Sequence, residues 1–376
     1  MRPTWAEVSL KTLRQNFRHL QQHVGARVVV CAVLKGDATG HGAVECARAL
    51  QQEGASWFAV TSTEEGVRLR DAGIASRILL LTGYWQGEES DVVRYRLTPS
   101  VWEPWHVSEL ARVIYERGCA PFPVHLKVDT GLARMGAHAG TLPQVLQSLK
   151  SAPGVMLEGV FTHLASSEQM DSPDVAEQME CWESARRTIR EAEFRPAYFH
   201  VANSAAVAAH PATWNNMVRP GISLFGYYAR FVADGVNRSV TDPAVAPVLA
   251  WKTRIISLHD VGANQRVGYN GTYVTTAPTR LAVLPVGFAD GLSRQLSSRG
   301  RAIVRDEYAP IVGIISMDVT LLDVTVIGEV QVGDEVTLIG GTEHCRITAW
   351  EHADIQRTVP DEVLCAIARR VPRRYA

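Results

Sequence analysis

Cysteine is sparse: the six in this 376-residue chain (Cys31, Cys46, Cys119, Cys181, Cys345 and Cys365) form no CxxC pair and no cluster with histidine. That scatter excludes a disulfide or zinc framework, reads as reduced thiols in a cytoplasmic protein, and leaves no metal expected. An excess of charge is missing too, the formal net charge being −1. No nucleic-acid footprint and no polybasic membrane patch is therefore expected. No apolar run approaches the ~18 residues of a membrane span, and the opening MRPTWAEVSLKTLRQNF lacks the apolar core of a signal peptide. A GxGxxG turn, an internal repeat and a low-complexity segment are likewise absent from the sequence.

What is there is ordinary for a soluble enzyme of two domains, with 46% hydrophobic and 20% charged residues. One stretch organises it, VVVCAVLKGDATGHG from Val28 to Gly42. The β-branched and small apolar residues predict a buried strand, and the run ends on a single ammonium, Lys35, beside a glycine-bearing loop. A partly desolvated lysine there is suited to forming an imine with an aldehyde cofactor. A strand-end lysine that simply meets water is the plainer alternative.

Around this stretch, strand and helix patterns alternate, with eight candidate strands near residues 28, 57, 78, 97, 123, 157, 198 and 218. That count predicts a closed (β/α)8 barrel of the TIM type over residues 1–238, and several of its strands end in capable groups: Lys35, Lys127, His163, Asn203 with Ser204, and Arg219. From about Asp242 short strands rich in valine, isoleucine and threonine alternate with turn signals such as Asn270-Gly271. A mainly β domain over 239–376, closed by a short helix at DEVLCAIARR, is expected there.

The segment AVLKGDATGHG resembles the pyridoxal-phosphate lysine motif of the alanine racemase family. KVDTGLARMG, GVFTHLASS, HVANSAAV, VRPGISLFG, VGYNGTY and ISMDVT follow in that family's order, so the resemblance covers nearly the whole chain. It implies pyridoxal 5′-phosphate as cofactor, held by Lys35, His163, Asn203, Ser204, Arg219 and the Gly221 and Ile222 amides. It further implies Lys35 and Tyr269 as proton-handling groups on opposite faces of a small amino acid, with Arg134 and the Met317 amide binding that substrate and Asp318 in support. A free tyrosine, with a pKa near ~10, needs positive charge nearby to act as a base. The resemblance assigns that help to His200 and Arg219. An arginine donates to the ring nitrogen without protonating it, a weaker electron sink than a carboxylate partner would give. Lys127 corresponds to a lysine that is carbamylated (N6-carboxylysine) in many members and there orients the residue matching Arg134.

The chain departs from the family at Thr39 and Arg369, where tyrosines are usual, and at Ser316, where cysteine is common. The two lost phenols bear on cofactor affinity and on how strictly alanine is selected, so a broader-range or serine-preferring racemase of the same family stands as the near alternative. The resemblance also implies a head-to-tail homodimer in which Tyr269 and Met317 complete the partner's site. A barrel-type decarboxylase of basic amino acids is less consistent with Arg219, and a non-enzymatic pyridoxal-phosphate carrier has no use for the second domain or for Tyr269.

Overall fold

In the computed structural model, which describes residues 2–233, 235–238 and 243–376, the chain forms two compact units. One comprises Leu13–Ala38 and Ala43–Ala246, the other Met1–Thr12, Thr39–Gly42 and Pro247–Ala376. The expected division between residues 238 and 239 lies outside the described residues.

The first strand, β1 (Thr4–Val8), belongs to the second unit. The barrel is closed by eight parallel strands: β2 (Val29–Val33), β3 (Trp57–Val60), β4 (Arg77–Leu80), β5 (Thr98–Val101), β6 (Phe122–Lys127), β7 (Val155–Phe161), β8 (Tyr198–His200) and β9 (Met217–Val218). These are the eight strands the sequence predicts. Closure brings β9 beside β2, with Val29 opposite Met217. Alternate residues on each strand point to opposite faces. Cys31 and Val33, Trp57 and Ala59, Leu79 and Met217 therefore pack together as one buried cluster. Helices such as Leu10–Val24, Ala43–Gln52, Pro104–Arg117 and Asp174–Glu191 follow the strands, each burying one stripe; on the first, Leu13, Phe17, Leu20 and Val24 recur at helical spacing. A helix at Glu89–Arg94 and another at Ser204–Ala209 were not expected. The second arises because Asn203 caps it, accepting the Ala206 amide at 2.9 Å, so the strand predicted near residue 198 stops at His200.

The second unit is built on an antiparallel sheet in which β1 pairs with Leu249–Arg254, which pairs in turn with Glu335–Gly341. Arg373–Tyr375 adds to β1 in parallel. A three-stranded sheet joins Ser257–Val261, Thr279–Leu284 and Thr320–Asp323. Two short helices, Ala349–Gln356 and Pro360–Ala366, follow, where the sequence reading placed one. The Thr39–Gly42 segment packs in this unit, and a Cβ at Gly40 would stand 2.4 Å from the Leu364 carbonyl oxygen, which only glycine avoids. Among the described residues no helix is long and apolar enough to cross a membrane.

Candidate active site

Lys35 stands just past the carboxyl end of β2, the end at which barrels of this kind carry their chemistry. Behind it, Gly36, Asp37, Ala38 and Thr39 all have φ between +51° and +63°, one left-handed turn. Three of the four are not glycine, so the turn is held against its own steric preference. Its restraints are specific. Glu65 Oε1 accepts the Gly36 amide at 2.7 Å and its Oε2 the Thr61 amide at 2.8 Å, while Asp37 Oδ1 accepts the Ala43 amide at 2.9 Å. Lys35 itself is exposed, not partly desolvated as expected, because burial ends at Leu34.

Arg219 follows β9 directly and is buried with only 4% of its surface exposed. Nη1 donates to His200 Nδ1 and to the His200 carbonyl, both at 2.9 Å. Nη2 donates to the carbonyls of Thr162 (2.8 Å) and Val201 (3.0 Å) and to His163 Nδ1 (3.3 Å). Nε has no partner among the described residues. Burial pulls the guanidinium down to about 10, which still leaves it charged at neutral pH. His200 is pressed well below the ordinary histidine range by burial and by Arg219, and His163 is pushed down to about 3 by burial and then by Arg219, Arg134, Lys127 and Lys35. Both rings are therefore neutral.

Lys127, the last residue of β6, is also buried, with Nζ 3.3 Å from the Leu81 carbonyl. Burial lowers it to about 8, reinforced by Arg219, Arg134 and Lys35 and opposed by Asp129. Asp129 Oδ1 accepts the Gly131 and Ala133 amides at 3.0 and 3.1 Å and so shapes the loop that presents Arg134 at the surface. Gly136, at φ 135°, lies so near the Asp129 amide that a Cβ would come within 2.5 Å.

At the ends of β8 and β9, Ser204 Oγ accepts the Gly221 amide at 2.8 Å and approaches Ser223 Oγ at 3.1 Å. The Gly221 amide, expected to face an anion, is engaged with Ser204. Asn203, expected at the cofactor, spends its amide on the Ala206 N–H and on Ser167. Ser204 and the Ile222 amide, the first of a one-turn 3-10 helix, remain as donors. These groups fit pyridoxal phosphate: a primary amine for the aldehyde, a hydroxyl and an amide for the phosphate, and one unspent N–H on a buried cation for an acceptor nitrogen.

In the second unit, Tyr269 opens a short turn between the paired strands Arg266–Val267 and Tyr273–Val274 and is 67% exposed. Asn270 and Gly271, the predicted turn signal, both adopt positive φ. Met317 is 56% exposed, and its carbonyl accepts the Ala289 amide at 3.0 Å. Asp318 accepts from Arg370 at 2.6 Å, and the same arginine reaches the buried Asp290 at 2.7 Å, to which Arg2 also donates at 2.9 Å. Asp290, Glu65 and His125 are functional candidates that the sequence pattern does not single out. For His125 a signal existed, since it lies two residues before Lys127 and so shares its face of β6.

Residues 8–229 match the family model described as alanine racemase, N-terminal domain, and residues 248–375 the one described as alanine racemase, C-terminal domain. An alanine racemase of Symbiobacterium thermophilum is 39% identical over 378 residues, covering all of this chain and 97% of the relative. Alanine racemase 2 of Caldanaerobacter subterraneus subsp. tengcongensis is 36% identical over 376 residues, covering all of this chain and 95% of its own. Among solved structures, alanine racemase from Streptomyces coelicolor A3(2) superposes with a TM-score of 0.92 at 29% identity, covering 100% of this chain and 98% of that one. The Bartonella henselae enzyme with covalently bound pyridoxal phosphate has a TM-score of 0.86 at 26% identity, with full coverage of both chains.

Proposed function

The chain belongs to the alanine racemase family, and we infer that it is a pyridoxal-phosphate-dependent enzyme that interconverts L- and D-alanine. Lys35, His163, Ser204, Arg219 and the Ile222 amide hold the cofactor, with Asn203 and Gly221 fixing Ser204. Held there, the cofactor would supply an electron sink that makes the proton on the substrate Cα removable. Lys35 Nζ handles that proton on one face and Tyr269 Oη on the other, each taking it from one enantiomer and returning it to the second. Arg134 and the Met317 amide bind the substrate carboxylate. Arg219, whose guanidinium only donates, would hold the cofactor's ring nitrogen as an unprotonated acceptor, and the cofactor so held would be a modest electron sink. His200, with both ring nitrogens engaged inside the barrel, supports Arg219. His163 is the Arg219-bound histidine with Nε2 still to offer, and is better suited than His200 to meeting the phenol of Tyr269.

The enzyme works in the cytoplasm as a head-to-tail homodimer, in which the partner's second unit supplies Tyr269 and Met317. The exposure of these two large side chains supports that reading.

The observation that carries the function is the adjacency of β2 and β9, which sets Lys35 and Arg219 at neighbouring strand ends. Circular dichroism of alanine, serine and other amino acids incubated with the enzyme tests it, with Lys35→Ala and Tyr269→Phe as controls. Alanine of either hand is expected to racemise at the highest kcat/KM. A preference for serine overturns the narrow selectivity, and no interconversion of alanine overturns the function.

A further inference from the structure

A barrel interior of this kind is ordinarily filled with branched apolar side chains, yet here a polar chain runs down from Arg219. Beyond the Arg219–His200 contact, His200 Nε2 lies 2.9 Å from His125 Nδ1. His125 Nε2 faces Glu158 Oε2 at 3.7 Å, an electrostatic contact longer than a hydrogen bond. Glu158 in turn receives both ends of the Arg77 guanidinium, Nη1 to Oε1 at 2.6 Å and Nη2 to Oε2. Arg77 and Glu158 sit at or before the middle of β4 and β7, so the chain leads from the site toward the other end of the barrel.

Arg219 at one end and the Glu158 carboxylate at the other demand the same placement of every proton in it. A guanidinium only donates, so His200 Nδ1 must accept. A neutral imidazole with Nδ1 accepting carries its proton on Nε2, so His200 donates to His125 Nδ1. His125 then also carries its proton on Nε2, directed at the carboxylate. Burial keeps both histidines below their ordinary range, as the assignment requires. Burial pushes Glu158 up, but His125 and the Arg77 guanidinium outweigh it and hold the group ionised.

The backbone is shaped for this contact. β6 and β7 pair Val124 with Leu157 but His125 with Gly159, leaving Glu158 as the extra residue of a bulge. Bulges re-aim side chains. Gly159 lies against the His125 ring, where a Cβ would meet Cε1 at 2.5 Å. A glycine inside a strand weakens it, and the close approach of that ring is the reason for this one. Arg77 is steadied over Trp57, 4.2 Å from its ring centre.

We propose that His125 and Glu158 are positioning residues for Arg219: the carboxylate fixes the tautomer of His125, His125 fixes that of His200, and His200 is thereby held as the acceptor that aims Arg219. The effect on catalysis rests on reading Arg219 as the partner of the cofactor's ring nitrogen; the tautomers themselves do not.

Nitrogen NMR of histidine-labelled holoenzyme reads the tautomers directly. Both His200 and His125 are expected to carry their proton on Nε2. Glu158→Gln, which keeps the shape and removes the charge, leaves Arg219 alone to set the tautomers and is expected to populate the other tautomer on His125 in part. It should also shift the absorbance of the bound cofactor and lower kcat roughly 10- to 100-fold with KM little changed. A proton on Nδ1 of either histidine in the unsubstituted enzyme overturns the proposal, whether or not the variant folds. So does a folded Glu158→Gln enzyme with parental tautomers, absorbance and kcat. An unsubstituted enzyme that shows the expected tautomers but cannot racemise alanine overturns the functional reading alone.

Discussion

Glu65 Oε1 accepts the amide of Gly36 at 2.7 Å, one residue past Lys35. The left-handed turn that carries the lysine is thus pinned from the next βα unit as well as by its own Asp37. Removing that acceptor leaves the Gly36, Asp37 and Thr61 amides without it. Glu65→Ala is expected to cost about 1–3 kcal/mol of stability and to lower kcat more than KM changes. Glu65→Gln, which keeps one acceptor oxygen but sets an NH2 against the other backbone N–H, should recover only part of both. Thermal midpoints and steady-state kinetics of the two variants check this, and parental kinetics in Glu65→Ala would refute it.

Lys127 offers a second prediction. With its ammonium lowered to about 8 by burial and neighbouring cations, the free amine that attacks carbon dioxide grows as pH rises through that value. Carbamylation would replace a buried cation, set among Arg219, Arg134 and Lys35, by an anion. Intact mass of the native protein in bicarbonate buffer is expected to show a gain of one carbon dioxide, increasing from pH 7 to 9. An unmodified, fully active enzyme would remove this feature.

A third concerns assembly. Lys35→Ala and Tyr269→Phe each disable every site of their own homodimer. After subunit exchange in a head-to-tail dimer, half the dimers are mixed and hold one intact site, so about a quarter of parental activity should return. A site built within one chain would recover none.

Acid stability is set by buried neutral histidines. His106 and His352 are lowered to about 4 and His163 to about 3, in each case first by burial. The unfolded chain takes up these protons near 6.5 and the folded one does not, so the unfolded state binds more protons between 6.5 and 3. Stability is complete above 6.5 and falls as pH drops through that window, by up to about 1.4 kcal/mol per pKa unit for each group. Urea midpoints at pH 8 and pH 5 should show the loss. Equal midpoints would contradict it.

Much of this is legible in the sequence alone. The β-branched runs give all eight barrel strands, and Lys35 and Arg219 fall at strand ends where periodicity puts them. Asn270-Gly271 marks the Tyr269 turn because only a turn demands positive φ at both positions. The rest is tertiary. Asp37, Ala38 and Thr39 have no local preference for a left-handed turn; Glu65, some thirty residues away, helps impose it. The bulge at Glu158 shifts a register that alternation cannot reveal, and the link from His125 to His200 spans β6 and β8, across the barrel. The engagement of Gly221 with Ser204 is likewise a contact between strand ends, invisible in the order of residues.

The central claim is that an amine and a phenol serve opposite faces of one substrate, and wash-in of solvent deuterium at the alanine Cα tests it most directly. In heavy water the parental enzyme is expected to label both L- and D-alanine. Tyr269→Phe should slow proton removal from one enantiomer far more than from the other, and Lys35→Ala should abolish exchange from both, the lysine also holding the cofactor. Equal slowing of the two enantiomers in Tyr269→Phe, or exchange at the parental rate, would contradict the two-sided mechanism.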